Sequence, residues 1–143
     1  APVQRGGPEV LIGGYTPAAI SRLGRWGNGY IAGGGDPQRM NGLFRMAENY
    51  WQSAGKPGKP RLVAMTYFAL GPGAAERATA YILDYYAFMG PMAQQRASAV
   101  PTSPEAIRAT IQAFADIGTD ELLFMPAVAE LNQVHLLADL ISG

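Results

Sequence analysis

Cysteine is absent from the 143-residue sequence, and histidine occurs once. The absence of cysteine excludes disulfides, thiolate catalysis and cysteine-ligated metals, and it suits a cytoplasmic protein. The 11 basic and 11 acidic residues cancel, so there is no general electrostatic field that would hold nucleic acid or an anionic membrane, and we expect neither as a partner. No apolar run approaches the roughly 20 residues of a membrane-spanning helix.

The sequence also lacks the side-chain sets of hydrolases. No carboxylate pair, Ser/His/Asp set or His/Asp/Glu cluster stands out, and both the GxGxxG fingerprint and the P-loop are missing. His135 lies beside Asp139 on the last predicted helix, away from any strand end, so we favour a surface role for it. The sequence therefore assigns no catalytic residue and no metal site. This fits an enzyme whose cofactor supplies the chemistry, and it equally fits a protein without catalysis.

A strand followed by a helix is the unit that the sequence repeats. With 48% apolar residues, residues 1–143 are long enough for a single domain with its own core. Apolar runs predict buried strands at 10–14, 29–33, 62–70 and 121–125, and helical spacing predicts helices at 17–26, 37–54, 74–89, 104–117 and 130–141. Alternation of this kind predicts an α/β fold with a parallel sheet and right-handed crossovers.

The spacing also predicts which side chains face the core, and where the chain is irregular. The predicted inner faces consist of Ile20, Leu23 and Trp26 in the first helix, Met40, Leu43, Phe44, Ala47, Trp51 and Ala54 in the second, Ala78, Ile82, Tyr85 and Met89 in the third, and Leu131, Val134, Ala138 and Ile141 in the last. Residues 90–102 contain two prolines and little periodicity, which predicts a mobile connection or a frayed helix. Lys56, Lys59 and Arg61 are interpreted as a solvated loop.

Two predicted strands end in glycines that are followed at once by a capped helix. Residues 13–14 precede Thr-Pro, and residues 33–35 precede Asp-Pro; both pairs are favourable at a helix start. Ligands of parallel α/β folds bind at the carboxyl ends of the strands. Glycine turns and helix N-termini there admit an anion such as phosphate, and Arg5 could reach an anion at the first turn. The same residues also serve simply to turn the chain, so both interpretations stay open.

Four segments follow one another in a recognisable order. They are PVQRGGPEVLIGGYTPAAISRLGRWGNGYI, AGKPGKPRL, YFALG and ADIGTDELLFMPAVAELNQVHLLADLI. In this order they resemble the C-terminal half of the bacterial luciferase-like monooxygenase family, whose members are (β/α)8 barrels that use FMN or the deazaflavin F420. The resemblance implies about four βα units of such a barrel, FMN as cofactor with F420 as the alternative, and a small organic substrate.

The resemblance also implies cofactor-binding residues. Residues 10–14 match the family's P-[VI]-x-[IV]-G-G turn, where the backbone lies near the cofactor phosphate, so Gly13, Gly14 and Tyr15 are the first candidates. Ala32 and Gly33, at the end of the next strand, face the same pocket in relatives and are the second candidates.

Other matches carry less functional weight. Asn28 replaces the acidic residue of the family's D-G-[WFY], and residues 118–120 match G-x-[DE] in a position that we expect to be architectural. The aromatic residues at 81–89 could line a substrate lid in this family, although their helical spacing favours core packing.

Length is the main departure from the family. The four N-terminal βα units are missing from residues 1–143, and the chain begins at Ala1, so we expect either a fragment of an enzyme or a short relative that completes a barrel with another chain. A half-barrel leaves open strand edges and an apolar inner face, which predicts a homo-oligomer. Two functions stay open: the cofactor-phosphate-binding half of a flavin- or F420-dependent oxidoreductase, not active by itself, or a non-catalytic half-barrel that self-associates.

Overall fold

The computed structural model describes residues 3–4, 6–34 and 36–142. In these ranges four parallel strands pair in the order β1-β2-β3-β4. Their bounds are Leu11–Gly13 for β1, Gly29–Gly33 for β2, Arg61–Phe68 for β3 and Glu121–Pro126 for β4. The predicted α/β fold with a parallel sheet is therefore confirmed. Because the order in space equals the order in the chain, the sheet resembles a segment of a barrel and not a doubly wound sheet.

Helices alternate with these strands. They are α1 Pro17–Ile20, α2 Arg22–Trp26, α3 Pro37–Ser53, α4 Ala74–Tyr85, α5 Pro91–Ser98, α6 Pro104–Asp116 and α7 Asn132–Ser142, with a 3-10 turn at Ala87–Met89. Thr16, Asp36 and Ser103 each accept an N–H of the first turn through a side-chain oxygen, and a proline follows each of them. The capping devices read from the sequence thus start three helices. The predicted helix 17–26 is divided at Ser21, whose hydroxyl donates to the carbonyl of Ala18.

The main core lies on the sheet face that the helices cover. Of the six residues predicted to form the inner face of α3, Ala54 follows the end of the helix and is exposed, and the other five are buried. They pack against Tyr30 and Ala32 of β2 and against Leu62 and Ala64 of β3. Phe44 is fully buried and meets Tyr30 edge to face, with the ring centroids 6.2 Å apart, an arrangement that aromatic pairs favour.

The opposite face of the sheet carries a second set of apolar side chains. Strand alternation and the pairing register place Leu11, Ile31, Met65, Leu123 and Met125 on this inner face. Leu123 is 37% exposed and Met125 is 39% exposed. Strands of parallel sheets are normally covered on both faces. Val63, on the same inner face, is fully buried, so this chain covers the inner face only in part and leaves the side chains of β4 open to solvent.

The prediction of a mobile connection or a frayed helix at 90–102 is wrong for α5. Gly90 has a φ of 56° and Pro91 occupies the first helical position, so this proline begins a helix and does not break one. The buried residues of α5 are Ala93 and Ala97. Because these side chains are small, they leave almost no apolar periodicity in the sequence.

Two aromatic residues predicted to be inward are exposed. Trp26 is 58% exposed and Tyr85 is 57% exposed. Trp26 lies at the end of α2, where the guanidinium carbon of Arg25 is 4.9 Å from its ring centroid. Tyr85 ends α4 and packs against its aromatic neighbours in place of the core. The inward predictions for Ile20, Leu23, Ala78 and Ile82 are confirmed, whereas Met89 lies in the 3-10 turn after α4 and is only half-buried.

The predicted inner face of α7 is wrong as well. Leu131, Val134 and Ile141 are all more than half exposed. The buried residue is Gln133, whose side-chain amide accepts from the N–H of Leu70 and donates to its carbonyl, both at 2.8 Å. Leu136, Leu137 and Leu140 pack against buried residues of the core. The side of α7 that faces the core therefore carries these three leucines together with Gln133.

The solvated loop predicted at 56–61 is wrong for Lys56 and Arg61, which form contacts within the chain, whereas the side chain of Lys59 is 70% exposed. The ammonium of Lys56 donates to the carbonyls of Leu23 and Gly27 at 3.1 and 2.6 Å, and it lies 4.5 Å from the ring centroid of Trp51. Arg61 pairs with two glutamates, which raise the pKa of its guanidinium. These contacts tie the amino ends of the strands to their neighbours, on the side opposite to the ligand end of such sheets.

Candidate functional site

Two adjoining cavities open at the carboxyl ends of the strands. The basic cavity, of about 410 Å³, lies between Arg39 and Arg96, and the aromatic cavity, of about 420 Å³, is lined by Tyr67 and the aromatic residues of 85–88. The residues that line both cavities are Tyr15, Gly33, Gly34, Arg96 and Ala99. Each volume is in the range of about 300–1,000 Å³ that is usual for small-molecule sites. The sheet therefore ends in one divided pocket.

The aromatic cavity is formed by the end of β3 and by the segment that follows α4. The hydroxyls of Tyr67 and Tyr86 are 3.2 Å apart, and the rings of Tyr85 and Tyr86 meet edge to face at 4.9 Å. Burial, followed by the hydrogen bond with Tyr86, raises the pKa of Tyr67, so this hydroxyl stays protonated at neutral pH. Phe88 is 81% exposed. Core packing, the interpretation favoured from the sequence, is therefore wrong for Tyr85 and Phe88, which line the cavity.

The basic cavity lies between the first turn of α3 and helix α5. The guanidinium carbon of Arg39 is 5.3 Å from the ring centroid of Tyr15, and that of Arg96 is 4.7 Å from the ring centroid of Tyr86. Neither arginine forms an ion pair within the described part of the chain. Asp36 also lines this cavity, but its carboxylate accepts the N–H groups of residues 38 and 39 and caps α3.

Two of the five residues predicted to bind a cofactor lie on the cavity walls. Tyr15 and Gly33 line both cavities. The Tyr15 hydroxyl donates to the carbonyl of Gly33 at 2.8 Å and accepts from its N–H at 3.3 Å. This pair of hydrogen bonds joins the two glycine turns, and it places an aromatic side chain at the junction of the cavities.

The other three predicted residues line neither cavity. Ala32 is 4% exposed and belongs to the core beneath α3. Gly14 has a φ of +131°, and a Cβ there would lie 2.5 Å from the Cβ of Ala19, so glycine is needed for the turn itself. The Gly14 carbonyl accepts from the Tyr30 hydroxyl at 2.6 Å, and burial raises the pKa of Tyr30 to about 12. Gly13, at the end of β1, is exposed and lines neither cavity.

Sequence reasoning missed the two arginines of the basic cavity. Arg39 was detectable, because it falls in the first turn of the helix that follows the second glycine turn. Arg96 was not, because it belongs to α5, which was predicted as a connection. Arg5 and Gly35, which the sequence also places near the two turns, lie outside the described residues.

Two further motif residues lie at the opposite end of the sheet. The amide oxygen of Asn28 accepts from the N–H of Val10 at 2.9 Å, and a carboxylate oxygen of Asp120 accepts from the N–H of Leu62 at 2.8 Å. Each bond joins the chain at the amino ends of neighbouring strands. The expected architectural role of residues 118–120 agrees with this position.

Other kinds of site find no support in the described ranges. No three His, Asp or Glu side chains come together there as a metal site. None of the helices described is both long and apolar enough to cross a membrane. His135 is exposed on α7, far along the chain from any strand end.

No family model matches the sequence, and no curated protein matches it. Solved structures match in fold. An F420-dependent secondary alcohol dehydrogenase with an F420-acetone adduct has a TM-score of 0.65 and 16% identity over 87% of this chain and 44% of its own. A riboflavin lyase with modified FMN and riboflavin has a TM-score of 0.66 and 16% identity over 96% and 44%. A monooxygenase from Streptomyces bottropensis has a TM-score of 0.60 and 16% identity over 97% and 47%.

The chain spans about half the length of these solved structures. They include an F420-dependent enzyme, a monooxygenase and an enzyme solved with modified FMN. The resemblance stated from the sequence is thus confirmed at the level of the fold, and the four βα units correspond to about half of a barrel of this kind.

Proposed function

We propose that this chain is the cofactor-binding half of a flavin- or F420-dependent oxidoreductase, with FMN as the favoured cofactor and F420 as the alternative. The observation that supports the proposal is the divided pocket, in which an aromatic and a basic cavity adjoin at the carboxyl end of a parallel sheet. A cofactor with a flat ring and a phosphate-bearing tail would place its ring in the aromatic cavity and its phosphate in the basic cavity. The structures that share the fold and bind F420 or FMN give the proposal its context.

The residues present fit such a cofactor. Tyr67, Tyr86 and Met65 give the aromatic cavity flat and polarisable surfaces on which a ring can pack. Tyr15 and Gly33 form the wall between ring and tail. Gly13, Gly14 and Ala32 would act through the shape of the two turns.

When bound, the cofactor would supply the redox chemistry. The chain itself would bind it, orient it and limit the access of water. A small organic substrate is part of this proposal, and no catalytic residue is assigned.

Titration of the 143-residue chain with FMN, and separately with F420, tests the proposal through cofactor fluorescence. We expect micromolar binding of one of them. The variant Gly33→Leu should weaken that binding at least tenfold, because Gly33 lines both cavities and a Cβ there would already lie 3.4 Å from the Met65 side chain of the aromatic cavity. Gly42→Ala is the matched control, since a Cβ at Gly42 meets nothing within 4 Å.

The results separate the possible roles of the two turns. Gly13→Ala tests the first turn. The added Cβ would lie in ordinary contact with Ile31, 3.7 Å from its carbonyl oxygen, so the fold tolerates it, and weaker cofactor binding would show that this turn approaches the ligand. Binding of neither cofactor, or equal binding by wild type and Gly33→Leu, would contradict the proposal.

A second candidate function is that of a half-barrel that associates with another copy of itself. The observation that favours it is the inner face, where Leu123 and Met125 are exposed, together with the positions of β1 and β4 at the edges of the sheet. Two copies would supply the eight strands of a closed barrel. This would cover the inner faces and the strand edges at the same time.

Sedimentation over a range of concentrations tests the self-association. We expect a dimer that Leu123→Glu dissociates, because the substitution places a charge on the inner face. Leu131→Glu is the control, because Leu131 is 76% exposed outside the sheet. A monomer at every concentration would refute this candidate.

A further inference from the structure

We propose that the basic cavity is a phosphate-binding subsite in which Arg39 and Arg96 hold the phosphate of a ligand whose ring lies in the aromatic cavity. The inference rests on the proposed function and deepens it, because it assigns the anionic group to two side chains and not to the glycine turns. Both arginines line the basic cavity.

The charges of the two arginines are available for a ligand. Arg45, Arg61 and Arg77 each form an ion pair with a glutamate, whereas Arg39 and Arg96 form none within the described residues. An anion that enters the basic cavity therefore meets two guanidinium groups without displacing a carboxylate. Guanidinium groups bind phosphate oxygens through paired N–H donors.

Stacking holds both guanidinium groups in place. Arg39 lies over the ring of Tyr15 and Arg96 over the ring of Tyr86. An arginine that lies over an aromatic face gains a cation–π contact and keeps the N–H donors at its rim free for an oxyanion. The two tyrosines thereby reduce the side-chain entropy that phosphate binding would cost.

Asp36 is the acidic residue that lines the basic cavity, and its carboxylate is already engaged as the cap of α3. One of its carboxylate oxygens accepts the two N–H groups at the start of α3. Two guanidinium groups and one carboxylate leave a net charge of +1, to which the positive end of the 17-residue helix α3 adds. Gln95 and Ser98 add neutral hydrogen-bonding groups to the same wall.

The geometry points to one ligand that occupies both cavities. Arg96 lines the basic and the aromatic cavity, together with Tyr15, Gly33 and Gly34. A Cβ at Gly34 would lie 4.0 Å from a terminal nitrogen of Arg96, so the second glycine turn passes directly beside this guanidinium group. A ring in the aromatic cavity would thus have its phosphate-bearing tail within reach of the arginine pair.

The test compares FMN with riboflavin, which is the same molecule without the phosphate. We expect wild type to bind FMN about tenfold or more tightly than riboflavin, because charge-assisted hydrogen bonds to the phosphate are stronger than those between neutral groups. Arg39→Gln should weaken FMN binding about tenfold and leave riboflavin binding unchanged. Arg96 also lines the aromatic cavity, so Arg96→Gln should weaken binding of both flavins, and that of FMN about tenfold more than that of riboflavin. Arg22→Gln, at an exposed position on α2, is the control and should bind both flavins as wild type does.

Inorganic phosphate, compared with chloride at equal ionic strength, provides a second readout through the melting temperature. A phosphate-dependent rise in wild type that Arg39→Gln and Arg96→Gln both lack would support the subsite even if neither flavin binds; if F420 does not bind either, the proposed function alone fails. Equal affinity for FMN and riboflavin in wild type would overturn the subsite and leave the proposed function standing. FMN binding that neither arginine variant weakens would overturn it as well.

Discussion

The two faces of the sheet carry similar apolar side chains and meet different surroundings. On the helix-covered face Tyr30 and Phe44 are fully buried, whereas on the inner face Leu123 and Met125 are 37% and 39% exposed. Both sets come from the same short apolar runs in the sequence. The difference shows that this chain completes the core on the helix-covered side and leaves the β4 part of the inner face open to solvent.

The largest effect should come from the covered face. Phe44→Ala removes a fully buried ring and should lower the free energy of unfolding by about 3–5 kcal/mol. Leu123→Ala, on the inner face, should lower it by less than about 1 kcal/mol in the monomer, because water already reaches the side chain. Urea denaturation of dilute protein measures both. Equal losses of unfolding free energy would mean that the two faces do not differ in how far they are buried.

A smaller effect should come from the buried amide that orients α7. Gln133→Ala leaves the N–H and the carbonyl of Leu70 without their partners and should cost about 2–3 kcal/mol. Gln112→Ala is the control, because Gln112 bonds only to Asp116 at the surface and should change stability by less than about 0.5 kcal/mol. If both variants unfold at the same urea concentration, Gln133 does not hold α7 against the covered face.

The smallest effect should come from Tyr30, which joins the covered face to the first glycine turn. Tyr30→Phe loses the hydrogen bond to the Gly14 carbonyl and should cost about 1 kcal/mol. Burial raises the pKa of Tyr30 from 10.0 to about 12 in the folded chain, so the unfolded chain loses its proton first. The stabilisation is therefore complete below pH 10 and is lost as the pH rises towards 12.

Thermal melts at pH 9 and at pH 11 measure this contribution. Wild type should lose more stability than Tyr30→Phe between the two values. An equal loss in both proteins would mean that the Tyr30 hydroxyl does not couple its ionisation to folding.

The parts of the fold that could be predicted are those in which several local signals agree. Helix α3 has an Asp-Pro start and five buried residues at helical spacing, so its position and inner face followed from the sequence. Helix α5 buries only Ala93 and Ala97, and helix α7 is apolar on more than one side. In these two helices the spacing of apolar residues does not reveal the buried face. Tertiary contacts, such as the hydrogen bonds of the Gln133 amide, determine it.

The candidate site shows the same limit. Glycine turns at strand ends indicated the right edge of the sheet, and two of the residues named there, Tyr15 and Gly33, line the cavities. Arg39 and Arg96 come together only because α5 returns to the end of β2. The sequence of each segment alone does not reveal that two segments so far apart in the chain lie side by side.

The most direct test of where a ligand binds is hydrogen–deuterium exchange with and without saturating FMN, or F420 if that is the cofactor bound. We predict slower exchange in residues 29–34 and 85–99, which border the two cavities, and unchanged exchange in residues 56–62 at the amino end of β3. Unchanged exchange around the cavities, or protection confined to the amino end, would contradict a cofactor site at the carboxyl end of the sheet.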